Sequence, residues 1–138
     1  MLTRKLGRKK AHRSHMLRNL AASVILHEKV ETTEAKAKEV KKIVESSITT
    51  AKKQTLAARR QLAAIYFDNA VVAKLCDELA GRYSTRTSGY TRALRLGVRK
   101  GDGAATFMLN LIPEEKVETA KPAKAKKAEA ATEETTNA

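Results

Sequence analysis

Apolar residues recur at intervals of three and four in two long stretches of the chain, the spacing of one face of an α-helix. The first stretch begins near Ser14, and the second follows Thr32 or Thr33, either of which can cap a helix, and runs to about Lys53. A short β-like stretch, residues 29–32, separates the two. The predicted apolar stripes are Met16, Leu17, Leu20, Ala21, Val24 and Ile25 in the first helix, and Val40, Ile43, Val44, Ile48 and Ala51 in the second.

Two shorter helical patterns follow, residues 56–66 and 70–80. Asp68 or Asn69 can cap the second of them, and Gly81 can end it, because glycine readily adopts the left-handed conformation that terminates helices. The sequence therefore predicts four helices, two long and two short, before the pattern changes.

Beyond Gly81 the apolar residues alternate with polar ones, as they do in β-strands. The segments YTRALRLG, residues 90–97, and TFMLNLI, residues 106–112, predict a hairpin whose turn contains Gly101 and Gly103. The hairpin residues expected to face the core are Leu94, Leu96, Phe107 and Leu109. The whole pattern predicts an α+β fold, with helices packed on a small antiparallel sheet.

From Pro113 onward the chain is a mixture of Ala, Lys, Glu and Thr in which Val117 is the only aliphatic residue larger than Ala. Such a segment cannot bury enough apolar surface to offset the entropy of ordering it. We therefore expect a disordered tail at 113–138, a single α+β domain at 14–112 and a basic N-terminal arm at 1–13.

Charge is distributed very unevenly along the chain. The 28 Lys and Arg exceed the 15 Asp and Glu by 13, and residues 1–20 hold seven of these bases, two His and no carboxylate. Since solvated surfaces normally mix charges of both signs, this segment indicates a polyanionic partner such as nucleic acid. With nothing to pack against, the arm is expected to order only on binding. The candidate nucleic-acid-binding residues are Arg4, Lys5, Arg8, Lys9, Lys10, His12, Arg13 and Arg18.

A second basic cluster occupies residues 81–103, where arginine dominates and two tyrosines are interleaved. Planar Arg and Tyr side chains suit the unstacked bases and phosphate ridges of folded RNA better than a DNA duplex. Alternatively, each tyrosine ring caps the hydrophobic core and leaves its hydroxyl in water. The candidates here are Arg82, Tyr83, Arg86, Tyr90, Arg92, Arg95, Arg99 and Lys100.

Other chemistry finds little support in the sequence. With Cys76 as the single cysteine, no intramolecular disulfide is possible, and the chain suits the reducing cytoplasm. Arg18 and Asn19 interrupt the first apolar stretch, which disfavours a signal sequence or membrane span; a mitochondrial transit peptide is the closer alternative. His12, His15 and Cys76 have too few neighbouring ligands for zinc, so we expect no metal or other cofactor.

Three carboxylates invite comparison with nucleases, which often use clustered acids and metal ions. Asp68 has the position of a helix cap, however, and the adjacent Asp77 and Glu78 would point about 100° apart on a helix. We expect no catalytic site and no small-molecule substrate.

Several motifs occur together and in order: RKLGR at 4–8, MLRNLA at 16–21, VETTEAKAKEV at 30–40, ARRQ at 58–61, RY at 82–83 and GYTR at 89–92. Over residues 4–112 the chain thereby resembles the bacterial large-subunit ribosomal protein seventeen family. The resemblance implies an α+β fold and binding to 23S rRNA near the polypeptide-exit region, beside other ribosomal proteins. It implies rRNA contact at the matching Arg4, Lys5, Arg8, Arg13, Arg18, Arg82, Arg86, Arg92 and Arg95.

We therefore predict a structural constituent of the large ribosomal subunit in the cytoplasm, one that binds and cross-links 23S rRNA segments through its arm and hairpin. A nucleoid-type DNA-binding protein is the alternative, favoured by the Lys-, Ala- and Pro-containing tail. A nuclease or RNA-modifying enzyme is the third hypothesis.

Overall fold

The computed structural model of the protein describes residues 4–113. Helices and strands follow one another along the chain as α1 (Lys10–His27), β1 (Lys29–Thr33), α2 (Glu34–Ala51), α3 (Leu56–Tyr66), α4 (Asn69–Ala73), a π-helical stretch (Lys74–Leu79), α5 (Ala80–Arg82), β2 (Thr91–Val98) and β3 (Ala105–Leu111). The helices pack on a small antiparallel sheet, which confirms the predicted α+β class. The tail predicted for residues 113–138 lies outside the described residues, apart from Pro113.

The long helices differ from their predictions mainly at their ends. Helix α1 begins at Lys10, four residues before the predicted Ser14, and α2 ends at Ala51, two residues before Lys53. The apolar stripe marks only the part of α1 that contacts the core, whereas Lys10 and the two residues after it are exposed. A helix can extend beyond its packed part, so periodicity alone underestimates its length.

The fourth helical segment is continuous from Asn69 to Arg82 and contains a π-helical turn in its middle. As predicted, Asp68 caps its beginning: the Asp68 carboxylate accepts a hydrogen bond of 2.9 Å from the backbone N–H of Ala70. The predicted stop at Gly81 is wrong, since this glycine lies within α5. At Gly81 the backbone does not adopt the left-handed conformation that would end a helix.

The sheet has the strand order β1-β3-β2, with both neighbouring pairs antiparallel. The predicted hairpin is thus confirmed as β2 and β3, and Gly101 and Gly103 have positive φ angles of 105° and 64°. Strand β3 lies in the centre, so both edges of this sheet, β1 and β2, are unpaired among residues 4–113.

The register of the hairpin overturns one expectation about its faces. Leu94 lies opposite Met108, whereas Ala93 lies opposite Leu109. Because opposed residues in an antiparallel pair share a face, Leu94 cannot face the core together with Leu109. Leu94 and Leu96 are instead 44% and 48% exposed, and Leu96 lies at a bulge between Arg95 and Gly97.

The core combines the predicted stripes of α1 and α2 with residues of the later elements. Its fully buried large side chains include both Tyr83 and Tyr90, each 1% exposed, with their ring centroids 5.2 Å apart. Their hydroxyls donate hydrogen bonds to backbone carbonyls, Tyr83 to Ile112 at 2.6 Å and Tyr90 to Thr87 at 2.9 Å. The structure therefore favours the core alternative for both tyrosines over stacking on RNA bases.

The described part of the N-terminal arm lies against the domain. Leu6 is partly buried against the core, and Arg4 Nε is 4.0 Å from Oε1 of Glu39 on α2. The expectation that the arm has nothing to pack against is therefore wrong at Leu6. A single apolar residue forms no periodic pattern, so sequence periodicity does not predict this contact.

Candidate nucleic-acid interface

The arm and the first turn of α1 form a continuous cationic region. Arg4, Lys5, Lys9, Lys10 and His12 are all exposed, and the first turn of α1 contains no acidic residue. Positive side chains at a helix N-terminus are unfavourable, because the helix dipole is already positive there. A bound anion would relieve this repulsion, which makes the region suited to phosphate.

The hairpin carries a second set of exposed cations on its edge strand. Arg92 lies opposite Asn110 and Arg95 opposite Phe107, so these two arginines extend from opposite faces of β2. Neither arginine side chain makes a hydrogen bond or an ion pair within residues 4–113. The strand can therefore present a guanidinium to a different phosphate on each side.

The turn of the hairpin contains an internal ion pair. Arg99 donates to Asp102 through Nε at 3.1 Å and through Nη2 at 2.5 Å, and the Asp102 carboxylate also accepts from the N–H of Ala104. The hydrogen bond from Arg99 is the main reason that the pKa of Asp102 is lowered to about 2. The neighbouring Lys100 is exposed.

The arm and the hairpin both lie near the beginning of α2, because Arg4 contacts this helix and β1, which leads into it, shares the sheet with β2 and β3. The pKa of Glu34 is lowered, first by the hydrogen bond from Lys38 and then by the positive charges of Lys38, Arg4 and Arg95. One carboxylate thus lies within electrostatic reach of an arginine from the arm and an arginine from the hairpin. The structure brings together two clusters that are about 90 residues apart in the sequence.

Arg82, another predicted contact, is largely used inside the protein. Its side chain is 18% exposed, and Nη1 donates to Oε2 of Glu28 at 2.9 Å. A second bond joins Arg82 to Glu78, and Lys74 approaches Glu28 within 3.1 Å. The hydrogen bond from Arg82 is the main cause of the lowered pKa of Glu28. These contacts connect the end of α1 to α5.

The remaining predicted contact residues are either half-buried or buried. Arg8 is half-buried and donates from Nη1 to the carbonyl of Leu6 at 2.8 Å. Arg13 and Arg86 are also half-buried, and the carbonyl of Arg86 accepts a hydrogen bond from Lys52. Tyr83 and Tyr90, being buried, lie outside the surface altogether.

Arg18 reveals a feature that the sequence reasoning missed. Its guanidinium lies over the ring of Phe67, 5.7 Å from the centroid, and Phe67 is 72% exposed. Phe67 follows α3 directly and precedes the Asp68 cap, in a stretch of the chain that is neutral overall. The charge of its segment therefore does not indicate a binding role for Phe67, and no periodic pattern includes it.

The carboxylates considered for catalysis all have structural partners. Asp68 caps α4, Asp77 lies 3.7 Å from Arg59, and Glu78 pairs with Arg82. Residues 4–113 contain no group of three His, Cys, Asp or Glu side chains placed to hold a metal ion. Cys76 is partly buried, and burial raises the pKa of its thiol. None of the helices formed by these residues has the length and apolar character needed to cross a membrane.

A family model described as ribosomal protein L17 matches residues 16–112. The chain belongs to this family. The matched region begins within α1 and ends just after β3, so the family assignment covers nearly all of the described fold, including the central strand and the hairpin.

Three relatives carry the name large ribosomal subunit protein bL17. One from Desulfitobacterium hafniense is 47% identical over 112 residues, which cover 81% of this chain and 100% of the relative. One from Caldanaerobacter subterraneus is 49% identical over the same length and the same shares. One from Geobacter metallireducens is 46% identical over 125 residues, 88% of this chain and 70% of the relative.

Proposed function

We propose that this protein is a structural constituent of the large ribosomal subunit that binds and cross-links segments of 23S rRNA without a catalytic step. Family membership supports the ribosomal role, since the relatives are named as large-subunit proteins. The RNA contacts are assigned to one basic surface, which consists of Arg4, Lys5, Lys9, Lys10, His12, Arg92, Arg95, Arg99 and Lys100.

The observation that carries this proposal is that the arm and the hairpin lie near the same end of α2. Arg4 Nε is 4.0 Å from Oε1 of Glu39 on this helix, and β1, which leads into the helix, shares the sheet with β2 and β3. A protein that brings two strongly positive segments together pays an electrostatic cost, which a polyanion on the same side of the molecule offsets. Because RNA folds bring phosphate backbones close together, a single surface of this kind can contact two RNA segments at once.

The cross-linking role rests on the edge strand β2. Arg92 and Arg95 extend from opposite faces, so phosphates on both sides of the strand can be neutralised. An edge strand with cations on it also resists pairing with strands of other proteins, which keeps this part of the molecule available for RNA.

The half-buried Arg8, Arg13, Arg18 and Arg86 are assigned to the margin of the surface, where part of each side chain remains accessible. Arg82 is assigned mainly to the internal ion pairs with Glu28 and Glu78. We retain the arm at 1–13, the domain at 14–112 and the tail at 113–138 as the proposed organisation. Neighbouring ribosomal proteins are the proposed protein partners, in the cytoplasm, with neither a membrane nor a small-molecule substrate.

Competition between nucleic acids tests this proposal. Protein-free 23S rRNA and duplex DNA of random sequence are titrated against a complex of the full chain with labelled 23S rRNA. We expect rRNA to compete much better than DNA at equal phosphate concentration, and the protein to sediment with large subunits after a high-salt wash. Equal competition by DNA would instead favour the nucleoid-type alternative.

A further inference from the structure

The exposed ring of Phe67 has a position that folding alone does not explain. It directly follows α3 and is 72% exposed, so the ring contributes little to the core. A single exposed apolar residue is common on protein surfaces, so a role in binding has to rest on its backbone conformation and its neighbours. Phe67 is also the most exposed of the large hydrophobic residues in the described part of the chain.

Phe67 has a backbone conformation that is unusual for a bulky residue. Its φ angle is 55°, in the left-handed region, where glycine or asparagine normally terminates helices and a bulky side chain is strained. The N–H of Phe67 donates to the carbonyl of Ala63 at 3.2 Å, which completes the end of α3 whatever the side chain is. A phenyl ring at this position therefore costs the fold more than glycine would.

One cation on α1 contacts the ring. The guanidinium of Arg18 lies over it, and His15, three residues earlier, lies on nearly the same side of α1. Residues 1–27 contain no carboxylate. Asp68 is adjacent in the chain, but its Oδ1 already accepts the capping hydrogen bond from Ala70.

We infer that Phe67 and Arg18 form a stacking site for an unpaired RNA base, with the base on the phenyl ring and the guanidinium beside its phosphate. One guanidinium at 5.7 Å leaves most of a ring that is 72% exposed accessible to a base. Aromatic rings stack on any base, and an adjacent arginine adds a cation for the backbone. The lack of acids on α1 favours RNA over a protein partner.

This inference rests on the proposed function, since it deepens the description of the same RNA-binding activity. It adds a contact outside the basic surface, on the side of the molecule where α1 meets the end of α3. Stacking is not ionic, so it differs from the arginine contacts in how it responds to salt.

The decisive variant is Phe67→Gly, because glycine removes the ring and suits the positive φ angle, so the fold is retained. Affinity for protein-free 23S rRNA is measured by filter binding across a salt series. We expect Phe67→Gly to bind about 5- to 150-fold more weakly, with the log–log salt slope unchanged. The matched control is Leu56→Ala, which removes an exposed apolar side chain at the other end of α3 and is expected to bind like the wild type.

A second variant, Phe67→Trp, gives a direct reading, because the chain contains no tryptophan. We expect rRNA to quench the fluorescence of this single tryptophan and the affinity to be retained. If the wild type binds rRNA in a salt-dependent manner and Phe67→Gly binds rRNA equally tightly, this inference is overturned while the proposed function stands. If Phe67→Gly binds rRNA as tightly as the wild type but is incorporated poorly into large subunits, the inference is also overturned, and the ring contacts a protein partner instead. If the wild type itself fails to bind rRNA, the proposed function fails as well.

Discussion

Replacing Arg92 and Arg95 by glutamine should reduce the salt dependence of rRNA binding by a calculable amount. The basic surface contains eight exposed Lys and Arg, and each phosphate contact contributes about 0.7 to 0.9 to the log–log slope of affinity against salt. If all eight make contact, the wild-type slope is about −6 to −7, and the double variant should have a slope of about −4 to −5.

The assay is a titration of the full-length protein with protein-free 23S rRNA between about 50 and about 200 mM salt. Over this fourfold range, the loss of two contacts makes the decline in affinity about 7- to 12-fold smaller in the variant than in the wild type. At the lowest salt concentration the variant should bind more weakly, because it lacks two favourable contacts.

The matched control is the double variant Lys53→Gln and Arg59→Gln, which removes the same number of positive charges from exposed positions outside both clusters. We expect its slope to remain near the wild-type value, since counterions are released only where phosphates are contacted. An unchanged slope in the Arg92→Gln and Arg95→Gln double variant, or an equal reduction of the salt dependence in the control, would refute the assignment of these two arginines to RNA.

Three further predictions concern the fold. Arg82→Gln should lower the free energy of unfolding by about 1.5 to 3 kcal/mol in urea titrations, because its hydrogen bonds to Glu28 are lost. The same variant should change the salt slope of rRNA binding much less than the Arg92 and Arg95 double variant does. A change in slope as large as one phosphate contact contributes would place Arg82 on the RNA instead. Burial raises the pKa of Tyr66 to about 12, so its contribution to stability is complete below pH 10 and is lost as the pH rises through about 12. Tyr66→Phe should therefore make stability less sensitive to pH in that window, which alkaline unfolding curves would show; an identical pH dependence would contradict this. Leu109→Ala should lower the free energy of unfolding by about 2 to 5 kcal/mol, whereas Leu94→Ala should lower it by less than about 1 kcal/mol, as measured by thermal unfolding. Equal losses of stability would argue against the observed hairpin register.

Local patterns determined the element types of this protein well. Helix α3 was predicted at its observed bounds, and Asp68 was correctly identified as a cap, because both depend on interactions within a few residues. The charge asymmetry also follows from the sequence alone, since residues 1–20 contain seven Lys and Arg and no acidic residue. The ends of α1 and α2 were less accurate, because the apolar stripe records contact with the core and not the full length of a helix.

Relations between distant segments were decided only by the tertiary structure. The face on which Leu94 lies depends on the register with β3, and a shift of one residue reverses it, which alternation within β2 cannot reveal. Tyr90 and Arg82 have the same sequence features as exposed RNA contacts, yet packing and the acidic Glu28 draw them into the protein. The sequence by itself therefore determined which segments are helical, extended or cationic. The three-dimensional packing decided which of those cations remain at the surface, because burial and pairing depend on neighbours far away in the chain.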